Sequence, residues 1–234
     1  MIITIDGPVA SGKSSVAKAL AKELGFYYLY TGLLYRAVAY LLIKENGGDF
    51  AQGLAHEWLA TSEVEFIKDI CYDYGEESGN SRPYIFYKNE EITEHLYDRS
   101  LEQPASIVSA NKYVRAGLLE TQRNIGKKYD IVADGRDCGS VVFPEADYKF
   151  YLTADVDVRV RRLLLDKKRH ILAKSIQAEE KTSQLAKEEL ERRDKRDRER
   201  EVAPLVIPEG AIVVDNSKLS QLETINKFLA CIKV

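Results

Sequence analysis

The sequence predicts a single α/β domain built on a doubly wound, five-stranded parallel sheet, and three observations support this fold class. Short β-branched and apolar segments alternate with longer amphipathic segments along most of the chain. The connections between successive short segments are long enough to hold crossover helices, as parallel strands require. The chain has 234 residues, 45% of them hydrophobic and 30% charged, and this length allows a sizeable core.

Each predicted element rests on its periodicity and on its end signals. The first helix is expected at 14–24, because apolar residues recur at helical spacing and stop at Gly25, a typical C-terminal cap. Thr31 is suited to cap a second helix at 32–45. Further helices are predicted at 94–101, at 113–127, as two charged helices between 155 and about 200, and at 219–232. The core strands are predicted at 2–6, 26–29, 130–133, 148–152 and 211–214.

One region breaks this alternation. Short β-branched and aromatic segments at 63–67, 71–74 and 84–88 are separated by a turn-rich stretch at 75–83. These segments predict a small antiparallel insertion in the parallel fold.

Composition limits the function classes. The longest apolar runs, such as 37–43, are far shorter than the ~20 residues of a membrane-spanning helix, and the N-terminus lacks the features of a secretory signal, so a cytoplasmic protein is expected. The three cysteines form no C-x-x-C pair, which argues against a disulfide framework or zinc site. Between 157 and 201, 15 Lys/Arg are interleaved with 11 Asp/Glu, and such dense acids argue against nucleic-acid binding.

The strongest motif is a glycine-rich loop between the first predicted strand and the first predicted helix. Residues 7–14 match G-x-x-x-x-G-K-[ST] in the strand–loop–helix context that this phosphate-binding motif requires. Backbone N–H groups and the positive end of the following helix favour phosphate oxygens there. We therefore expect ATP or GTP to bind, with Lys13 at the β- and γ-phosphates and Ser14 as a ligand of Mg2+. The expected nucleotide-binding residues of this loop are Gly7, Pro8, Val9, Ala10, Ser11, Gly12, Lys13, Ser14 and Ser15.

Four ordered blocks of sequence, spread from residue 2 to about 204, resemble the bacterial-type cytidylate kinases, which are nucleoside monophosphate kinases with a P-loop. The blocks are I-T-I-D-G-P-x-A-S-G-K-S at 3–14, T-G-L-L-Y-R at 31–36, V-A-D-G-R-D-C-G-S-V-V-F-P at 132–144 and R-D-K-R-D-R-E-R-E-V-A-P-L at 193–205. The resemblance implies ATP-dependent phosphorylation of CMP, and of dCMP, with ATP and Mg2+ as co-substrate and cofactor. It also implies a helical lid beside the sheet.

A nucleoside monophosphate requires cations for its phosphate and a matching donor set for its base. Arg36 and Arg136 are suited to bidentate pairing with the phosphate. Cytosine presents an amino donor beside two acceptors, so we expect it to meet a carboxylate and neighbouring cationic or hydroxyl donors. Asp137, with Arg115 and Ser106, meets that need and matches the base-contacting positions of the family.

The remaining roles follow mainly from the resemblance. Arg193 and Asp197, spaced i,i+4, match the pentose-contacting pair of the family, and Arg200 matches an arginine of the transfer site. Asp134 ends a predicted strand beside the phosphate loop and is expected to hold Mg2+ through water. The resemblance gives a CMP site of Thr31, Arg36, Ser106, Arg115, Arg136, Asp137, Arg193, Asp197 and Arg200. It gives catalytic roles to Lys13, Arg136, Arg162 and Arg200, ATP-binding lid arginines at Arg159 and Arg162, and metal-binding oxygens at Ser14 and Asp134.

Two departures from the family pattern and several alternatives stay open. Tyr30 stands where the family has an aspartate, and the lid segment at 163–192 is longer and richer in lysine. The expected division is a core at about 1–60, 104–160 and 203–234, a monophosphate-binding insertion at 61–103 and a lid at 161–202, in a monomer. The alternatives are a kinase of the same fold acting on UMP, AMP or a small alcohol such as shikimate, and a non-catalytic nucleotide-binding module with a basic helix. For single residues, a surface arginine, an exposed ion pair or a turn cap is the structural alternative.

Overall fold

The computed structural model describes residues 1–45, 47, 64–77, 80–168 and 176–233. Parts of the predicted insertion, lid and core, at 46, 48–63, 78–79 and 169–175, therefore lie outside the described residues. The strands are β1 (Ile2–Asp6), β2 (Tyr27–Tyr30), β3 (Ile70–Glu77), β4 (Asn80–Tyr87), β5 (Glu90–Glu91), β6 (Ile131–Gly135), β7 (Tyr148–Thr153) and β8 (Ile212–Asp215). The α-helices are α1 (Lys13–Leu24), α2 (Thr31–Glu45), α3 (Glu102–Val108), α4 (Lys112–Lys128), α5 (Val156–Lys168), α6 (Ile176–Glu199) and α7 (Gln221–Leu229).

The main sheet has five parallel strands in the order β2-β6-β1-β7-β8. The predicted α/β fold class is confirmed, and the five predicted core strands agree with the observed ones to within about a residue at most ends. Since β1 lies at the centre, the loop after it opens between two neighbouring strands at the carboxyl edge of the sheet, where α/β proteins bind ligands.

Helices cover both faces of this sheet and bury two separate clusters. On one face, Ile3 and Ile5 of β1 pack with Leu20 of α1 and with Phe150 and Phe228, whose rings stack at 4.1 Å. The second cluster lies on the other face, where α2 and α4 cover β2 and β6. Both faces are therefore apolar, as a doubly wound sheet requires.

The antiparallel insertion is confirmed as the three-stranded sheet β3-β4-β5, but one of its predicted strands is wrong. In place of a strand at 63–67, the described residues form a 3-10 helix, Val64–Asp69. Ile67 and Ile70 are buried while Lys68 and Asp69 between them are exposed. This spacing of three fits a helical turn, whereas a strand alternates by two.

The segment at 94–101 is helical as predicted, but it forms two 3-10 helices, Thr93–Tyr97 and Arg99–Leu101, in place of one continuous helix. Asp98 separates them in an extended conformation, and its carboxylate accepts a hydrogen bond from the amide of Ser100 at 2.8 Å. Aspartate competes in this way with a continuous helix, so the chain turns before α3 begins at Glu102. The other predicted helices are confirmed, with α2 starting at Thr31 itself. Among the described helices, none is long and apolar enough to cross a membrane.

Candidate active site

A cavity of about 620 Å³ lies at the carboxyl edge of the parallel sheet. The loop between β1 and α1 forms one end of it, and side chains from α2, α3, α4 and α6 form the other. Of the residues predicted from the sequence, its lining includes Val9, Ala10, Gly12, Lys13, Ser14, Ser15, Thr31, Arg36, Ser106, Arg115, Asp134, Arg136, Asp137, Arg162, Arg193, Asp197 and Arg200. Gly7, Pro8, Ser11 and Arg159 are buried and are not among the lining residues.

Two glycines of the loop are required by its geometry. A Cβ on Gly7 would lie 2.1 Å from the carbonyl oxygen of Leu152, so no other residue fits against β7 there. Gly12 has a φ of 91°, in the left-handed region that favours glycine, immediately before α1 begins. The loop therefore passes close to the sheet and turns abruptly, which leaves the first amides of α1 at the cavity.

Lys13 is a buried cation at the start of α1. Its Nζ donates a hydrogen bond to the carbonyl of Pro8 at 3.2 Å, and the residue is 6% exposed. Burial, together with the nearby Arg136, lowers the pKa of Lys13 to about 7, although Asp134 acts in the opposite direction. The protein therefore stabilises the positive charge of Lys13 poorly, and a bound anion would stabilise it further.

Asp134 of β6 faces the first turn of α1. Its Oδ2 accepts a hydrogen bond from Ser14 at 2.5 Å and its Oδ1 accepts one from Tyr28 at 2.9 Å. Thr31 Oγ1 donates to the carbonyl of the same residue at 2.7 Å. Burial raises the pKa of Asp134. The paired hydroxyl and carboxylate oxygens of Ser14 and Asp134 are hard donors that suit Mg2+, which typically takes one or two protein ligands and completes its shell with water and phosphate.

Two arginines that line the cavity share one carboxylate. Arg36 donates to the carbonyls of Leu96 at 3.0 Å and Asp98 at 3.2 Å, and its guanidinium lies 3.6 Å from Glu102. Arg193, on α6, lies 3.7 Å from the other oxygen of Glu102. Glu102 therefore provides the counter-charge that both arginines face in this structure, a role that the sequence did not indicate.

Arg136 and Asp197, which both line the cavity, form an ion pair. Nε of Arg136 donates to Oδ2 of Asp197 at 2.7 Å. Burial alone would raise the pKa of Asp197, but Arg136 outweighs it and holds the pKa below its usual range. Arg193 and Asp197, which the resemblance gives as the pentose-contacting pair, form ion pairs with Glu102 and Arg136 in this structure.

The carboxylate of Asp137 is enclosed by two buried arginines. Arg115 forms an ion pair with Oδ2, and Arg200 lies 3.3 Å from Oδ1. Arg115 also donates to the carbonyl of Ser109 at 3.0 Å, and Arg200 donates to that of Ala203 at 2.6 Å. The structure thus brings together Asp137 and Arg115, which the sequence predicted as a base-reading pair, and adds Arg200 to them.

Three further residues support the site, and the sequence analysis did not assign a site role to them. Arg196 donates to Oγ of Ser106 at 2.8 Å, and its position three residues after Arg193 on the basic helix was the available signal. Asp6 accepts hydrogen bonds from the amides of Cys138 at 2.8 Å and Gly139 at 2.7 Å, which fixes the turn that follows Asp137. Burial raises the pKa of Asp6 to about 6. Tyr28, described above, is the third.

The two predicted lid arginines are placed differently. Arg162 lines the cavity and donates to the carbonyl of Ser11 at 2.9 Å and to Oδ1 of Asn216 at 2.9 Å. Arg159 is 4% exposed and donates to the carbonyl of Val9 at 3.1 Å from behind the loop. Arg159, which the resemblance gives as an ATP-binding lid arginine, is not among the residues that line the cavity in this structure.

A phosphate loop at the end of a central parallel strand, facing a chamber of arginines and buried carboxylates, defines a P-loop phosphotransferase. The family model described as cytidylate kinase matches residues 3–234 of this sequence. The chain belongs to the cytidylate kinase family.

Similar proteins agree with this assignment over nearly their full lengths. The cytidylate kinase of Caldanaerobacter subterraneus subsp. tengcongensis is 35% identical over 231 residues, covering 99% of this chain and 94% of that protein. The cytidylate kinase of Acholeplasma laidlawii is 35% identical, with 99% and 94% covered. That of Chlamydia caviae is 36% identical over 232 residues, with 99% and 98% covered. The resemblance inferred from the four sequence blocks is confirmed.

Proposed function

We propose that the protein transfers the γ-phosphoryl group of ATP to the 5′-phosphate of CMP or dCMP, giving ADP and the nucleoside diphosphate. The observation that carries this proposal is the buried Asp137, held by Arg115 and Arg200 in the cavity that the phosphate loop also lines, in a chain of the cytidylate kinase family. A carboxylate accepts from the amino group of cytosine, whereas uracil would present a carbonyl oxygen to it.

The donor end is suited to ATP. The amides at the start of α1 face the cavity at a left-handed turn, and the N-terminal end of α1 carries a partial positive charge. Lys13, with its pKa lowered to about 7, gains a favourable counter-charge when a triphosphate binds. Ser15 and Arg162 line the same end and complete the proposed ATP site.

The acceptor end is suited to a nucleoside monophosphate. Arg36 and Arg136 supply cations for the acceptor phosphate, and both lie within the same cavity as Lys13. We propose that Arg193 and Asp197 contact the ribose, while Thr31 and Ser106 provide hydroxyl groups beside the phosphate and the base. One cavity then holds both substrates, so the reacting atoms are brought together without a carrier group.

The transfer itself requires little acid–base chemistry. An oxygen of the acceptor phosphate attacks the γ-phosphorus, the bond to the β–γ bridging oxygen breaks, and that oxygen leaves with ADP. Because the attacking oxygen is already anionic, the task of the protein is positioning and charge neutralisation by Lys13, Arg136, Arg162 and Arg200. Ser14 and Asp134 would hold Mg2+, and the bound metal would supply further charge neutralisation.

The domain division remains part of this proposal. We place the core at about 1–60, 104–160 and 203–234, the monophosphate-binding insertion at 61–103 and the lid at 161–202. We propose that the protein acts as a monomer on small-molecule substrates. We place the reaction in the cytoplasm, where ATP and nucleoside monophosphates are formed and consumed.

The proposal is tested by measuring ADP production from Mg-ATP with CMP, dCMP, UMP, AMP, GMP and shikimate. We expect strong turnover with CMP and dCMP and much weaker turnover with UMP. The Lys13→Met variant is the matched control, and it should fold normally while losing transfer activity. Turnover with UMP, AMP or shikimate above that with CMP would contradict the proposed acceptor. Binding of ATP without turnover of any acceptor would instead indicate a nucleotide-binding module.

A further inference from the structure

We propose that Arg159 and Asp194 are positioning residues that hold the phosphate loop at Val9, and that Arg159 is not a ligand of the nucleotide. Arg159 lies on α5 and Asp194 on α6, 35 residues apart in sequence. The inference rests on the proposed function only in assuming that the loop binds nucleotide phosphates. It assigns to Arg159 a role different from that of Arg162, one turn further along the same helix.

The backbone amide and the backbone carbonyl of Val9 both form hydrogen bonds with this pair. The amide of Val9 donates to Oδ1 of Asp194 at 3.0 Å, and the carbonyl of Val9 accepts from Arg159 at 3.1 Å. The same nitrogen of Arg159 donates to Oδ2 of Asp194 at 2.5 Å, which closes the triangle. A second nitrogen of Arg159 donates to the carbonyl of Ala154 at 3.1 Å, at the end of β7. The loop is thereby tied to the lid helices and to the sheet.

The two side chains are buried, which strengthens their hydrogen bonds and restricts their geometry. Arg159 and Asp194 are 4% and 3% exposed. In such a site a charged side chain without its partner is costly, so the pair holds one geometry. The Val9 amide already donates to Asp194, so Val9 serves the loop as an anchor.

The next residue shows what the anchor does. Ala10 has a φ of 57°, in the left-handed region that is unfavourable for a residue with a side chain. Such a conformation persists where neighbouring contacts over-determine it. The hydrogen bonds on both sides of Val9 provide this constraint, and the loop then turns towards Gly12 and the amides at the start of α1.

The loss of Arg159 should affect nucleotide binding differently if it is a positioning residue than if it is a lid arginine that contacts the nucleotide. The backbone of a phosphate loop contacts the α- and β-phosphates, so a misplaced loop weakens the binding of ADP and ATP by a similar factor. A lid arginine that contacts the transferred phosphoryl group acts on the γ-phosphate, and its loss weakens ATP alone. The ratio of the two effects identifies the role of Arg159.

The experiment is isothermal titration of ADP and of ATP, each with Mg2+, into the unaltered protein and into Arg159→Met, Arg159→Lys and Arg161→Met. We expect Arg159→Met to weaken the binding of both nucleotides about tenfold. Arg159→Lys retains a cation beside Asp194 and should recover most of the lost affinity. Arg161, the exposed neighbour on α5, is the matched control and should bind both nucleotides normally. A loss confined to ATP, or no loss at all, would overturn the inference.

A second variant and a second measurement keep the inference testable if Arg159→Met does not fold. Asp194→Asn keeps an oxygen for the Val9 amide but removes the charge facing Arg159, and we expect it to weaken ADP and ATP equally by a smaller factor. Hydrogen exchange at the Val9 amide should become faster in Arg159→Met and in Asp194→Asn than in Arg161→Met, without any nucleotide. Unchanged exchange would refute the anchor. Because this readout involves no acceptor, a protein that fails to phosphorylate CMP would refute the proposed function and leave the anchor open to this test.

Discussion

The phenol of Tyr28 donates a hydrogen bond to one oxygen of Asp134 at 2.9 Å, while the hydroxyl of Ser14 donates to the other at 2.5 Å. The carboxylate is thereby held between β2 and the first turn of α1. The ring of Tyr28 stacks on that of Tyr30, with centroids 6.2 Å apart and planes 6° apart. A strand residue thus orients the carboxylate that we propose holds Mg2+.

Replacing Tyr28 by Phe removes this hydrogen bond and keeps the ring. Groups that orient metal-binding carboxylates typically affect metal affinity or activity by 10- to 100-fold, and we expect the Mg2+ concentration for half-maximal activity to rise by about tenfold. The measurement is a titration of activity with Mg2+ at saturating ATP and CMP. Tyr27→Phe is the matched control, because the Tyr27 ring packs against Tyr74 and Tyr129. Equal Mg2+ requirements in the two variants would contradict the role of Tyr28.

The lowered pKa of Lys13 predicts that ATP binding takes up a proton. In the free protein burial and Arg136 bring this pKa to about 7, so at pH 8 the side chain is mostly neutral. Bound phosphates favour the ammonium form and raise the pKa, and up to about one proton is then taken up at pH 8, with little uptake at pH 6. Titration calorimetry of ATP in buffers of different ionisation enthalpy measures this number.

The Lys13→Met variant provides the control for proton uptake. It has no titrating group at this position, so the dependence of the binding enthalpy on the buffer at pH 8 should decrease. If the unaltered protein binds ATP at pH 8 with the same enthalpy in all buffers, Lys13 is already protonated there and the prediction is wrong.

Replacing Asp137 by Asn should reduce the preference for CMP over UMP by at least about tenfold. The amide has both a donor and an acceptor, so it no longer discriminates between the amino group of cytosine and the carbonyl of uracil. The ratio of kcat/KM for the two nucleotides measures the change. Asp157→Asn, an exposed carboxylate of α5, is the control. An unchanged ratio would refute base reading by Asp137, whatever the loss of overall activity.

The Asp137→Asn variant should also be less stable than the unaltered protein, since Arg115 and Arg200 lose their shared buried counter-charge. Losing one partner of a buried pair typically costs about 3–5 kcal/mol, and less when a hydrogen bond is retained. Urea unfolding measures this loss separately from the substrate ratio.

The sequence predicted the features that depend on short segments of chain. The phosphate loop was predictable because eight consecutive residues and the adjoining strand and helix define it. The core strands followed from their apolar residues, and the end of α1 followed from Gly25, which has a φ of 70°. By contrast, the strand predicted at 63–67 failed because a short segment with one or two buried residues does not distinguish a turn of helix from a strand.

The partners within the site were not predictable in the same way. Arg136 pairs with Asp197 across 61 residues, and Arg196 reaches Ser106 across 90 residues. Spacing along α6 indicated which charges share a face of the helix, but the fold determines which residue each charge meets. Arg159 shows this most clearly, because the pattern placed it with Arg162 and the structure buries it behind Val9.

The acceptor end contains one more pair that local sequence could not reveal. A Cβ on Gly32 would lie 2.6 Å from Cε2 and 3.1 Å from the hydroxyl oxygen of Tyr30, so the ring of Tyr30 fills the space that this glycine leaves. Both residues line the cavity. Tyr30 occupies the position at which the resemblance places an aspartate, and the glycine allows the larger side chain to lie there.

Gly32→Ala should therefore displace the ring of Tyr30 within the cavity and raise the KM for CMP by about tenfold. The KM for ATP should change little, since the three atoms nearest a Cβ on Gly32 all belong to Tyr30 and none to the phosphate loop. In a Tyr30→Ser background the clash is absent, and Gly32→Ala should then have little effect on either constant. Steady-state kinetics of the four proteins form a double-mutant cycle, in which residues in contact typically show a coupling of about 0.5–3 kcal/mol. Additive effects of the two substitutions would show that Gly32 is required by its backbone and not by the ring of Tyr30.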